Sequence, residues 1–298
     1  MRPLFTRLLS ALLVTVALAA TPAQANTMVR VHTTQGPIDM TLLDSEAPVT
    51  VANFLAYVRG GDYVSDFFHR SAWITPTPPT PFVIQAGGFV WPEGSPISAV
   101  PSRGTIVNEY SPTRSNLRAT VAMAKVGGDA NSATSQWFVN MRDNAANLDN
   151  QNGGFTVFAR VTPPGMVVSD RISLLPRVSV SSTNFSSSEL PVAGWQSGTT
   201  VGRNNVVMIT EVTEFPATQS VSDRIFNFLE ASFPQYAMPS KATTGEALGY
   251  QYRYYSGTNV YVGTKDNQVW YLVPALNGDI HSLGSVDDWF ALAQAAGY

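Results

Sequence analysis

Residues Ala119 to Asn140 hold two short alternating runs on either side of a loop of small and polar residues. Val121 and Met123 alternate with Ala122 and Ala124, and Trp137 and Val139 alternate with Gln136 and Phe138. A period of two marks strands that bury one face. Between the runs, Gly127, Gly128, Asp129 and Asn131 supply turn chemistry. The stretch therefore predicts two strands of a β-rich core joined by a turn. Its second strand sets an amide, Gln136, beside an aromatic ring, Phe138. That pairing suits a groove that grips an apolar ring and holds a peptide backbone, although a plain hairpin inside a β core would read the same.

The rest of the chain fits around this centre. Val29 and Val31, then Ile38, Met40 and Leu42, predict two strands about a turn at Gln35-Gly36-Pro37. Pro48 opens a helix at a position where its missing N–H costs nothing. Val51, Phe54, Leu55 and Val58 then fall on one helical face, and Gly60-Gly61 ends it. Pro76, Pro78, Pro79 and Pro81 crowd the segment 71–81, which predicts an extended polyproline II loop. The segment 90–115 reads as loop, with a short strand at Thr105–Val107. A strand is expected over 155–161, a helix over 166–174, a Ser-rich loop over 178–188 and a closing strand over 206–212.

Composition shifts after residue 215. Eight of the eleven tyrosines lie beyond residue 230. Val221, Ile225, Phe228 and Leu229 have helical spacing, and residues 250–255, 259–262 and 268–273 read as strands. Ser285 to Asp288 has the capping-box pattern ahead of a last helix. This predicts a small C-terminal α+β domain over 216–298, joined by a linker near Pro216.

Charged residues are only 13% of the chain, against about a quarter in ordinary domains. With a net charge of −3 there is no electrostatic case for nucleic acid. The absence of cysteine excludes disulfides, thiolate catalysis and Cys-ligated metal. His32, His69 and His281 have no metal-binding spacing, and no cofactor is expected. The N-terminus reads as an export signal. Arg2 and Arg7 precede an apolar run, Leu8 to Ala20, that is short for a bilayer span, and Ala23-Gln24-Ala25 follows as a small-x-small cleavage site. Residues 1–25 are therefore set aside. The mature chain is expected to begin near Asn26, to be periplasmic or extracellular, and to have no stable membrane insertion.

Met123-Ala124 followed by Ser132-Ala-Thr-Ser-Gln-Trp-Phe resembles the cyclophilin peptidyl-prolyl isomerases, exported bacterial members above all. Phe68-His69-Arg70, Phe82-Val83-Ile84-Gln85 with Gly87-Gly88-Phe89, Asn108-Glu109, Leu148-Asp149 and Val157-Phe158 match in the same order. The likeness covers about Met28 to Val212. It implies a mainly β fold for residues 26–215, a closed antiparallel eight-stranded barrel capped by two helices. It also implies rotation of X–Pro bonds in unfolded or flexible proline-containing polypeptides.

Position by position, the resemblance makes Arg70 the catalytic arginine, with Gln85 orienting it. Phe82, Val83, Phe138 and Leu148 match the proline pocket. Gln136 matches an amide that holds the substrate backbone, and Ala124 and Lys125 match the strand that pairs with the peptide. Asn147 falls where some members carry Trp or Phe, and Phe155 where His or Tyr is usual. His69 is structural in the family. The insertion at 71–81 and an extra Ala86 depart from the pattern. They leave open a proline-binding module with weak turnover, or one of the insertion's own prolines in the pocket. An envelope or adhesion protein acting through the Tyr-rich domain is the reading from another class.

Overall fold

The computed structural model describes residues 26–216, 218–235, 242–274 and 278–298, so the expected signal peptide lies outside the described residues. The chain begins with β1 (Met28–Thr33) and β2 (Gly36–Leu42), paired as the alternation requires, with Val31 opposite Ile38. Helix α1 (Pro48–Gly60) buries Val51, Phe54, Leu55 and Val58, and Gly61 closes it in the left-handed conformation.

After β3 (Asp66–Phe67), strands β4 (Arg70–Pro76) and β5 (Pro79–Ala86) form a hairpin with Trp73 opposite Pro81 and Pro76 opposite Pro79. The segment 71–81 is thus a hairpin and not the expected polyproline II loop. Its first strand lies at the sheet edge, where a residue without an N–H need not cost a ladder bond. The Thr75 and Thr80 hydroxyls, 2.7 Å apart, tie its tip. Ala86 pairs with Trp137 in an unbroken ladder and introduces no bulge.

Two short strands, β6 (Phe89–Val90) and β7 (Ser98–Ala99), lie in the stretch read as loop. The strand expected at 105–107 is only an isolated bridge from Ile106 to Ala133. The central pair is β8 (Thr120–Met123) and β9 (Trp137–Asn140), followed by the short α2 (Ala145–Leu148), β10 (Val157–Val161) and α3 (Pro163–Ser173). The Ser-rich segment is a second hairpin, β11 (Arg177–Ser181) and β12 (Ser186–Pro191), and not a loop. Alternation was hidden there because serines fill its exposed positions. Strand β13 (Met208–Glu214) returns beside β1.

These strands, apart from β11 and β12, make one curled sheet of eleven in the order β4-β5-β9-β8-β10-β2-β1-β13-β3-β6-β7. It is larger than the eight closed strands the resemblance implies, and its edges β4 and β7 are not ladder partners. The chain itself crosses the seam between β3 and β4. There Phe68 N–H donates to Val207 O at 3.0 Å and His69 N–H to Gln85 O at 3.1 Å. Trp137 is fully buried inside, edge-on to Phe54 and Phe68, and α1 and α3 add Val51, Met166 and Ile172 to the same core.

The C-terminal domain has α4 (Val221–Ser232), β14 (Thr243–Ala247), β15 (Tyr250–Tyr255), β16 (Val260–Lys265), β17 (Gln268–Leu272), β18 (Ile280–Ser285) and α5 (Val286–Ala295). The five strands are one antiparallel sheet in chain order, two more than the sequence suggests. Ser220 and Ser285 cap the two helices. Arg253 and Tyr255 face α4, while Tyr252, Tyr254 and Tyr261 line the opposite face, with Tyr254 and Tyr261 stacked at 4.4 Å.

This domain is fastened to the sheet by a buried charge network. Arg30 of β1 grips both Asp39 oxygens at 2.7 Å and donates to Asn227 O of α4. It also pairs with Glu230, which Arg253 and Tyr255 hold from the other side. Tyr298, the last residue of the sequence, donates to Asp39.

Candidate active site

Neighbouring strands put four side chains in register on one face of the sheet. Arg70 lies opposite Gln85, Gln85 opposite Phe138, and Phe138 opposite Ala122. Directly paired residues share a face, whereas their neighbours Ile84, Ala86, Trp137 and Val139 turn into the core. Arg70 Nη1 approaches Gln85 Oε1 at 3.4 Å, a weak bond, and Gln85 Nε2 donates to Gln136 Oε1 at 2.7 Å. A polar row therefore runs from the guanidinium through two amides.

Beside this row lies an apolar patch. Val83, Phe138 and Leu148 are buried in it with Leu43, Ala72, Ala122 and Val157, and Phe82, Ala124 and Phe155 pack on it half exposed. The Phe155 ring stands edge-on to Phe138 at 5.7 Å. Two glycines let the chain turn under the row. Gly87 has φ +82°, and a Cβ there would sit 2.4 Å from Ser135 O; one on Gly88 would sit 2.9 Å from His69 Cε1 and 3.0 Å from Gln136 Cδ. A side chain at Gly88 would push against the His69 ring and the Gln136 amide.

Asn147 and Lys125, both assigned to the peptide site, are not among the residues of the apolar patch. Asn147 is exposed on α2, outside the patch, and its side chain accepts from Gln151. Lys125 turns its ammonium onto Asn152 O and Gly154 O, each at 2.7 Å, over the Phe155 ring at 4.8 Å. Burial there lowers its pKa. Ala124 N–H already donates to Gln136 O at 2.9 Å. The prolines of the β4–β5 tip are exposed and belong to no part of the patch, so the structure does not place them in the pocket.

His69 is buried and edge-on to Phe89. Burial, reinforced by the Arg70 cation, lowers its imidazole to about 4, so it is neutral at ordinary pH. Among the described residues no group of three or more His, Asp or Glu converges as metal ligands would.

Sequence reasoning missed two supports. One is a chain of buried amides linking the two walls of the patch. Asn144 Nδ2 donates to Phe82 O at 2.9 Å and to Asn140 Oδ1 at 2.8 Å. Asn140 Nδ2 donates to Asn116 Oδ1 at 3.1 Å, and Asn116 Nδ2 to Phe155 O at 3.0 Å. Asn140→Ala would orphan these buried groups, so the expected cost is about 1–3 kcal/mol, read as a lower urea midpoint at unchanged slope. An unchanged midpoint would mean that the amides are satisfied elsewhere. The second support is Glu189 of β12, whose Oε2 accepts from Arg70 Nε at 2.8 Å and whose Oε1 accepts from Arg177 Nη1 at 3.2 Å. A glutamate at the end of a Ser-rich stretch carried no signal of this.

The family model described as cyclophilin type peptidyl-prolyl cis-trans isomerase/CLD matches residues 28–193. The chain is similar to a peptidyl-prolyl cis-trans isomerase of Acinetobacter baylyi, 38% identical over 155 residues, which are 52% of this chain and 76% of the relative. Peptidyl-prolyl cis-trans isomerase A of Dickeya dadantii is 38% identical over 173 residues, 56% of this chain and 84% of that protein. Peptidyl-prolyl cis-trans isomerase cyp18 of Streptomyces antibioticus is 42% identical over 138 residues, 45% of this chain and 76% of that protein.

Proposed function

This chain belongs to the cyclophilin-type peptidyl-prolyl cis-trans isomerases, and from that membership we propose that it rotates X–Pro bonds in exported, unfolded or flexible polypeptides with Arg70 as the stabilising cation. An X–Pro bond prefers trans only slightly, yet amide resonance sets a rotational barrier of about 18–20 kcal/mol. No bond to a heavy atom is made or broken, so no nucleophile is required. The catalyst must bind the twisted amide more tightly than either planar form.

In the twisted state the prolyl nitrogen regains a lone pair. A guanidinium N–H aimed at that nitrogen stabilises the twisted amide and gains little from the planar ones. Phe82, Val83, Phe138 and Leu148 would hold the pyrrolidine ring, while the Gln136 side chain and the Ala124 carbonyl fix the peptide around it. Gln85 stands between Arg70 and Gln136 and passes orientation from one to the other. The observation that carries this reading is the shared face of Arg70, Gln85 and Phe138 beside the Val83–Leu148 patch.

The location is part of the proposal. The basic start, the short apolar run and Ala23-Gln24-Ala25 support export to the periplasm or beyond. Among the described residues no helix is long and apolar enough to cross a membrane. The clients would then be exported chains, whose folding waits on prolyl isomerisation.

A protease-free isomerisation assay on a short Ala-Pro peptide tests the reading. The expected kcat/KM is nearly flat from about pH 5.5 to 9, because arginine does not titrate there and His69 titrates lower, at about 4. A bell-shaped profile centred on a histidine would overturn the assignment, and no acceleration at all would overturn the activity of this chain.

A further inference from the structure

The Arg70 guanidinium is held on two sides. Gln85 reaches Nη1 from within the sheet, at the long distance of 3.4 Å. The shorter bond, 2.8 Å from Nε to Glu189 Oε2, comes from β12, which lies outside the curled sheet. The β11–β12 hairpin is seated for this contact. Ser187 Oγ donates to His69 O at 2.8 Å, one residue before Arg70, and Arg177 Nη1 donates to Ser71 O at 3.2 Å, one residue after it. Arg177 is itself fixed, lying 3.8 Å over the Trp73 ring, whose indole donates to Ser173 O at 2.8 Å.

We propose that Glu189 is a positioning residue for the isomerisation: shared between Arg70 and Arg177, it fixes the plane of the Arg70 guanidinium so that Nη2 is presented to the prolyl nitrogen. The inference rests on the reading of Arg70 as the donor. Three features support it. A planar guanidinium bonded through Nε and Nη1 is restrained about its last side-chain torsions, and Nη2 carries no bond among the described residues. A single carboxylate facing a single arginine would cancel the cation that the twisted amide needs. Here two guanidiniums share one carboxylate, and the trio keeps a net positive charge. Finally, Gln85 alone is a poor anchor at its distance, so the stronger charge-assisted bond sets the orientation.

The test is the same protease-free assay on Glu189→Ala and Glu189→Gln, each alone and combined with Arg70→Ala, with circular dichroism melting to confirm the fold. Glu189→Ala should lower kcat about tenfold, well within what a 1 Å misplacement can cost, and leave KM within roughly twofold, since ground-state binding does not use the guanidinium's aim. Glu189→Gln keeps an acceptor for Nε and should recover most of that loss. Combined with Arg70→Ala, neither variant should lower the rate further. A wild-type or raised kcat in Glu189→Ala, or the same tenfold loss with Arg70 already gone, would overturn the inference. A wild-type rate in Arg70→Ala would instead overturn the reading beneath it, whatever Glu189 does.

Discussion

Arg70→Ala should lose about 10²–10³ of kcat/KM on an Ala-Pro peptide, the cost of removing one donor already aimed at the transition state. Arg70→Lys should not restore it. An ammonium is a point charge that cannot accept Gln85 and Glu189 as two edges of one plane while offering a third N–H to the prolyl nitrogen. The loss should fall on kcat and leave the apolar patch intact, because Phe82, Val83, Phe138 and Leu148 pack on one another and on Leu43, not on Arg70. Wild-type turnover in both variants would remove Arg70 from the mechanism.

The second large effect is on stability. Arg30→Ala should cost about 3–5 kcal/mol, because it leaves the fully buried Asp39 without its cation and takes from the half-buried Glu230 one of its two. The urea midpoint should fall, and the C-terminal domain should lose its hold on β1 and β2. Activity at low temperature should survive, since β1 lies six strands along the sheet from β4. The deficit should depend on pH in a definite direction. Burial alone would raise the Glu230 carboxyl, but Arg30 and Arg253 outweigh it and hold it below the usual range. The stabilisation from that lowered group is present above the ordinary Glu range and disappears as pH falls through the folded value. In Arg30→Ala the Glu230 carboxyl keeps Arg253 and Tyr255 but loses one of its two cations, so it takes up a proton sooner and the two proteins should converge in acid. Equal stability at pH 7 would mean that the network fastens nothing.

The same network explains why the C-terminal domain was harder to read than the rest. Arg30, Asp39, Glu230 and Tyr298 are scattered over the whole chain, and charged side chains at such positions look like solvated surface until the fold brings them together. The sheet was legible where one face is buried. Val29 and Val31, Ile38 to Leu42, and Val121 with Met123 alternate cleanly, and those strands stand where the period put them. It was not legible in the 178–188 stretch or in 71–81, because serine and proline mask alternation on an edge or on a two-stranded hairpin. The strands Thr243–Ala247 and Ile280–Ser285 are exposed along most of their length and carried no period at all.

The site divides in the same way. Arg70, Gln85, Gln136, Phe82, Val83, Phe138 and Leu148 were assigned from short ordered motifs, and the structure gathers them at one place. Asn147 was assigned by position alone, and it is exposed on α2 with Gln151 as its partner. Lys125 lies two residues past the end of β8, and its ammonium is taken by the Asn152 and Gly154 carbonyls, whereas the resemblance concerned its main chain. Glu189 and the amide chain through Asn140 were invisible because both act across long sequence separations, which no local pattern records.

Measuring peptide affinity and turnover together on Arg70→Ala bears most directly on the claim that this cation favours the rotating amide over the resting one. Exchange spectroscopy on an Ala-Pro peptide, with a titration of the same peptide, gives both. The expected result is a rate lower by about two to three powers of ten with the peptide Kd within roughly threefold of wild type. A Kd that weakens in step with the rate would show that Arg70 merely holds the substrate, and would contradict the account.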